Sequence, residues 1–162
     1  MKRPAFFLCL LALTAAPAQA RDALGMFGAW GAFRDAGIPR CYAIAMPEKT
    51  TRAEGNAYAD VGLWPKKGVR GQVHFRLSHR IQPGAAVQLS LAGQRYRMIA
   101  GGIDAWAADA RMEAAILAAM RSGETMTISA RDGAGRVFSD QYTLPGAATA
   151  IDAAALACAR GR

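Results

Sequence analysis

Arg40–Met46, with the sequence RCYAIAM, is the stretch that decides the fold of this chain. Successive side chains of an extended strand point to opposite faces, so the cysteine and the two alanines share one face, and the tyrosine, isoleucine and methionine share the other. Both faces are apolar, which predicts a central strand. Pro47 ends the strand because proline cannot donate to a sheet ladder. We expect Cys41 to lie in the core, joined to Cys158 near the end of the chain.

Residues 1–20 have the pattern of a secretory signal peptide. Two basic residues precede the apolar segment Ala5–Leu13, and a small-x-small cleavage sequence ends at Ala20. The apolar segment is too short to span a bilayer, for which about 20 residues are needed, and no later apolar run reaches that length. We therefore expect cleavage after Ala20 and a soluble mature domain, residues 21–162, in the periplasm or outside the cell. A buried first helix is the alternative interpretation.

The cysteine pattern indicates one structural disulfide. Cys9 lies inside the apolar segment of the leader, which leaves Cys41 and Cys158 in the mature chain. An even pair of cysteines in an oxidising compartment is typical of a disulfide. A buried free pair and a reactive thiol are the alternatives, but the absence of CxxC spacing disfavours a redox role.

Hydrophobic periodicity along the rest of the chain predicts a mainly β domain with two helices. The clearest alternation is in Arg70–Arg80, where Val73, Phe75 and Leu77 point one way and polar side chains point the other. Further strands are predicted at 29–33, 40–46 and 58–64, hairpins at 86–100 and 124–144, and helices at 107–121 and 147–159. This order predicts a single α+β domain, built on an antiparallel sheet or β-sandwich of about seven short strands that helices partly cover.

No catalytic, cofactor or metal site is predicted. The sequence contains neither a nucleophile-elbow motif nor a phosphate-binding glycine loop. His74 and His79 fall on opposite faces of a predicted strand, with no cysteine or carboxylate cluster beside them, which favours two ordinary surface or edge histidines. Asp109 and Glu113 lie four residues apart at a helix start, where an exposed charge pair is favoured over an acid–base pair.

The charge balance is compatible with anionic partners. The chain has 20 Lys and Arg against 12 Asp and Glu, a net charge of +8, which suits envelope polysaccharide, lipid head groups, nucleic acid or acidic proteins. A scattered, solubilising surface charge is the alternative. The candidate anion-binding residues are Lys66, Lys67, Arg70, Arg76, Arg80, Arg95 and Arg97. If their strands are neighbours, they form one patch for phosphate or sulfate. Aromatic residues do not alternate with them on the polar face, which disfavours single-stranded nucleic acid.

Several short motifs are spread along the mature chain. They are Trp30 after the leader, Cys41-Tyr42 opening a strand, Met120–Gly123, Arg131–Gly133, Tyr142–Gly146, Ala150-Ile151 and the terminal Cys158. Together they resemble the invasion-associated locus B family of secreted bacterial proteins. Family members often have a further cysteine near Phe33–Asp35 and phenylalanine at the position of Ala147, so the resemblance implies a divergent branch with one disulfide. It implies an envelope or secreted role without a mechanism.

Taken together, these patterns predict an exported, non-enzymatic module that binds an envelope component or another protein. An enzyme acting on envelope material is the first alternative, which convergent carboxylates in a cleft would favour. The second alternative is an anion binder that recognises polysaccharide or lipid phosphate through its basic face. No cofactor and no specific nucleic acid partner is expected.

Overall fold

A computed structural model describes the chain at residues 21–35 and 37–160, without the side chain of residue 160. The predicted leader and its cleavage site lie outside the described residues. Within the described part, none of the helices is long and apolar enough to cross a membrane.

Eleven strands of the described chain form one continuous antiparallel sheet. The strands are β1 (Arg21–Phe27), β2 (Trp30–Asp35), β3 (Arg40–Ala45), β4 (Lys49–Thr50), β5 (Tyr58–Trp64), β6 (Val69–Arg76), β7 (Val87–Leu91), β8 (Gln94–Gly101), β9 (Asp104–Trp106), β10 (Thr125–Arg131) and β11 (Val137–Thr143). Their order is β1-β2-β3-β5-β6-β9-β8-β7-β10-β11-β4. Two halves of the sheet share β8, of which residues 94–98 pair with β7 and residues 99–101 pair with β9.

The mainly β fold with two helices is confirmed, but the strand count of about seven is wrong. β1 was missed because its ladder with β2 is interrupted by a register shift between Ala23 and Gly25, which breaks the two-residue alternation. β4 and β9 have only two and three residues, too short for any periodic signal. β6 ends at Arg76, although alternation continues to Arg80, because the chain then leaves the ladder.

α1 (Ala110–Met120) and α2 (Ala147–Arg160) cover parts of the sheet. The Asp109 side chain caps α1 by accepting a hydrogen bond from Met112 N at 2.7 Å. Glu113 does not join an exposed charge pair, which corrects that prediction. Its carboxylate accepts a hydrogen bond from Val73 N of β6 at 2.6 Å, so it ties α1 to the sheet.

The predicted disulfide is confirmed. Cys41 of β3 and Cys158 of α2 are bonded, with Cα atoms 5.8 Å apart and a sequence separation of 117. β3 lies between β2 and β5, as its apolar faces predict, and α2 packs on all three of these strands. Side chains that alternate with Cys41 therefore point away from α2. We call the side of β2, β3, β5, β6 and β9 that is opposite α2 the outer face.

Leu77–Gln82, which we call the bridging segment, connects the two halves of the sheet after β6. Leu77 N donates to Ile103 O at 2.7 Å, next to β9, and Gln82 N donates to Arg131 O of β10 at 3.0 Å. Ser78 was expected on the polar face but is buried, because its backbone N–H donates to the buried carboxylate of Asp140 at 3.0 Å.

Candidate functional site

A charged cluster on the outer face is centred on His74. In the ladder, His74 of β6 lies directly across from Asp60 of β5 and from Trp106 of β9. Its Nδ1 lies 3.2 Å from Asp60 Oδ1, and its Nε2 lies 3.0 Å from Asp104 Oδ1. Trp106 stacks on the imidazole with the ring centroids 5.3 Å apart. Three neighbouring strands thus hold one histidine between two carboxylates.

Arg40 extends this cluster toward the start of β3. Its Nη2 donates to Asp60 Oδ2 at 2.6 Å, so one buried carboxylate serves both Arg40 and His74. The guanidinium also lies over the rings of Tyr42 and Trp64, at 4.3 Å and 5.0 Å from their centroids. These cation–π contacts fix the guanidinium in one orientation.

The two carboxylates favour the protonated form of His74. Burial of the imidazole disfavours its charged form, but the hydrogen bonds and charges of Asp60 and then Asp104 outweigh burial and raise the pKa of His74. A protonated imidazole with both N–H groups donated to carboxylates has no lone pair to accept a substrate proton. The cluster therefore suits structural support better than general-base catalysis.

Glycines underlie the aromatic rings of this face. A Cβ on Gly62 would lie 2.4 Å from the Trp64 ring, and one on Gly31 would lie 2.7 Å from the Phe33 ring. Each ring covers the glycine two residues before it on the same face of the strand, which explains why glycine is needed there. The repeated glycine-x-aromatic pattern is therefore a sequence signal for an aromatic ring that covers a glycine on one face of a strand.

A basic cleft of about 450 Å³ lies at the disulfide end of the sheet. We define it by its lining residues, which are Arg34, Asp35, Pro39, Arg40, Cys41, Pro65, Lys66, Gly68, Arg70, Ala157 and Cys158. Four of these are cationic and one is acidic. The acidic one, Asp35, already accepts from Arg21 Nε at 3.3 Å.

The structure divides the seven predicted anion-binding residues among several places. It brings Lys66 and Arg70 together in the basic cleft, with Arg34 and Arg40, which the sequence did not single out. The remaining five residues lie elsewhere. Lys67 is exposed in the turn before β6, and Arg76 faces Asp104 across the ladder. Arg80 and Arg97 line two other clefts, and Arg95 is on β8. β9 separates β6 from the strand that carries Arg95 and Arg97, so these arginines are not on neighbouring strands.

The prediction of two surface histidines is wrong for His79. Its side chain is fully buried in the bridging segment and packs against Phe138, with the ring centroids 4.7 Å apart. Sequence alternation placed it on a strand face, whereas the strand ends three residues earlier, at Arg76.

Comparisons with protein-family models, with curated proteins and with solved structures found no match to this chain. The resemblance to the invasion-associated locus B family stays a prediction that rests on the motifs quoted above.

Proposed function

We propose that this chain is an exported, non-enzymatic binding protein whose basic cleft takes a phosphate or sulfate group of an envelope ligand. The observation that carries the proposal is the convergence of Arg34, Arg40, Lys66 and Arg70 on one cleft. Guanidinium and ammonium groups are the side chains that proteins use for such anions.

Three of these cations are available to a ligand. Among the described residues, Arg34, Lys66 and Arg70 have no carboxylate within the 4.0 Å of an ion pair. The fourth, Arg40, is bonded to Asp60. The local charge is therefore positive before any ligand binds, which favours an anion.

The C-terminal end of α2 opposes anion binding in the cleft, but its effect is weaker than that of the cations. The last turn of α2 contributes Ala157 and Cys158 to the lining, and the carbonyl end of a helix disfavours negative charge. That penalty is about 0.3–1 kcal/mol at an exposed helix end, whereas each hydrogen bond to a charged group contributes about 1.5–3 kcal/mol. Two such bonds already outweigh the helix end.

The part of the cleft formed by Arg40 and the disulfide is also ordered in advance. The Cys41–Cys158 bond joins β3 to α2 at its floor, and Asp60 holds Arg40 in place. Groups that are fixed before binding lose little conformational entropy when the ligand arrives. The leader pattern and the single disulfide support export, and the family resemblance supports an envelope role.

Charge-matched variants test the proposal. Lys66→Gln/Arg70→Gln removes two cations from the cleft, and Arg95→Gln/Arg97→Gln removes two exposed cations from β8. We expect the first variant to weaken binding of a heparin-derived oligosaccharide and of inorganic phosphate by at least about tenfold, measured by calorimetry at fixed salt. The second variant is expected to bind almost like the wild type.

Three results would contradict the proposal. Equal losses in both variants would show that binding follows net charge rather than the cleft. A wild-type protein that binds neither probe at low salt would remove the cleft as an anion site. Turnover of an envelope glycan by the wild-type protein would refute the non-enzymatic part.

A further inference from the structure

A second cluster of ligating side chains lies at the bridging segment, away from the basic cleft. Glu54, His79 and Asp132 each offer one atom, and these three atoms lie within 4.8 Å of one another. They come from the loop before β5, from the bridging segment and from the turn between β10 and β11. Only the closure of the two halves of the sheet brings them together.

His79 carries a buried nitrogen that the described residues leave unpaired. Its side chain has no exposed surface, and its Nδ1 lies 2.9 Å from Ser78 Oγ. Its Nε2 has no hydrogen-bond partner and faces Glu54 Oε1 at 3.7 Å, which is too long for a hydrogen bond. Buried polar atoms are rarely left unpaired, so this nitrogen points to a ligand.

We propose that Glu54, His79 and Asp132 bind a divalent transition metal ion of the Zn²⁺ class. One imidazole nitrogen with two carboxylates suits Zn²⁺ and its neighbours better than Ca²⁺ or Mg²⁺, which prefer oxygen ligands alone. Ligands at about 2.0–2.1 Å from a tetrahedral Zn²⁺ are about 3.4 Å apart. The 3.7 Å between His79 Nε2 and Glu54 Oε1 is close to that separation.

Neighbouring groups hold two of the three ligands in position. The hydrogen bond with Ser78 occupies Nδ1 of His79 and directs Nε2 toward Glu54. Asp132 Oδ1 accepts from the backbone N–H groups of Ala134 and Arg136, both at 2.9 Å. Such outer contacts are what metal sites use to orient histidine and carboxylate ligands.

Arg136 places a cation between the two carboxylates. Its Nε lies 3.0 Å from Asp132 Oδ2, and its Nη2 lies 3.6 Å from Glu54 Oε1. The side chain is 56% exposed, so it can swing into solvent when an ion arrives. Arg52 Nη2 lies 3.9 Å from Asp132 Oδ2 and adds a weaker competing charge. Metal affinity is therefore set by competition with Arg136.

The metal reaches this position from an open cleft. Glu54, Asp132 and Arg136 line a space of about 560 Å³, together with Arg80 and Gly102. Three protein ligands leave a fourth coordination position for water or for an anion from this cleft.

Calorimetric titration of the metal-stripped, tag-free protein with Zn²⁺ tests the site. We expect His79→Gln and Glu54→Gln each to weaken binding by at least about tenfold, and Arg136→Gln to strengthen it by at least about tenfold. Arg131→Gln removes an equal charge from the same hairpin and should leave the affinity unchanged. Glu54 is 58% exposed, so its variant still folds if the buried His79 variant does not. Titration with Co²⁺ adds a ligand-field spectrum that reports a nitrogen ligand.

The proposal is overturned if the wild type and Arg136→Gln both fail to bind Zn²⁺. It is also overturned if both ligand variants bind as tightly as the wild type, or if Mg²⁺ binds as tightly as Zn²⁺. Lys66→Gln/Arg70→Gln must leave Zn²⁺ binding unchanged, which separates this site from the basic cleft.

Discussion

His74 and His79 are the two histidines of the chain, and the fold treats them in opposite ways. His74 uses both ring nitrogens on carboxylates of neighbouring strands, Asp60 and Asp104. His79 is buried more deeply, and among the described residues one of its ring nitrogens has no partner. The same side chain thus joins three strands through two carboxylates in one place, and in the other it carries a nitrogen that the described residues leave unpaired.

The difference teaches that cross-strand neighbours, rather than residue type or local sequence, assign a histidine its role. Asp60 and Asp104 lie on the two strands that flank β6, so the ladder supplies both partners of His74. His79 lies beyond the end of β6, where no ladder partner is available and distant turns approach instead.

The largest expected effect concerns the covalent bond near the His74 half of the sheet. Cys41→Ser/Cys158→Ser opens a loop with a sequence separation of 117, and the chain-entropy model puts the loss at about 4–5 kcal/mol of unfolding free energy. Urea denaturation measures this loss. Hydrogen exchange should show β3 and β5 losing protection before the bridging segment, because α2 packs on these strands and is bonded to β3 through the disulfide. An unchanged denaturation midpoint would contradict this prediction.

Asp60→Ala comes next because it removes the carboxylate shared by His74 and Arg40. Asp60 is 4% exposed, and its removal takes away the carboxylate that pairs with Arg40 and leaves His74 with Asp104 alone. We expect a loss of about 3 kcal/mol, the lower end for a buried ion pair. Asp104→Ala is the control, and we expect it to cost less than about 1 kcal/mol because Asp104 is 29% exposed. Equal losses of unfolding free energy in the two variants would contradict the prediction that the buried carboxylate of Asp60 stabilises the fold more than the partly exposed one of Asp104.

Replacing each histidine by phenylalanine compares the two positions directly. His74→Phe removes two hydrogen bonds to carboxylates, and we expect it to cost about 2 kcal/mol. His79→Phe keeps an aromatic ring against Phe138 and removes only the Ser78 contact, so we expect about 1 kcal/mol. Both values come from chemical denaturation at one pH. A larger loss at position 79 would show that the unpaired nitrogen has a stabilising partner.

The smallest effect is a pH dependence that belongs to His74. Its pKa is raised, so its stabilisation is complete below the unfolded pKa of about 6.5 and declines as pH rises through the folded pKa. The difference in unfolding free energy between wild type and His74→Gln should be largest at mildly acid pH and become smaller as the pH rises through the folded pKa. A difference that grows with pH would have the wrong sign.

Local patterns were enough for most of the larger elements. β5 has the bounds predicted for it, both hairpins are present, and β3 is a central strand because both its faces are apolar. The pairing of Cys41 with Cys158 also followed from the sequence, because the predicted removal of Cys9 with the leader leaves two cysteines with one intramolecular partner each.

The candidate sites were mostly beyond the reach of local patterns. Lys66 and Arg70 were singled out for their charge, but Arg34 and Arg40 join them only because β2 ends and β3 begins beside the turn before β6. His79 was placed on a surface, since alternation continues past the point where β6 ends.

By itself, therefore, the sequence determined most of the longer strands, the two helices and the disulfide of this protein, because periodicity and cysteine count are properties of the chain alone. Only the tertiary structure decided which charges meet: Asp60 and Asp104 around His74, Glu54 and Asp132 around His79, and four cations around the basic cleft. Sheet pairing is the physical reason, since it joins residues far apart in the chain and its register cannot be deduced from either strand separately.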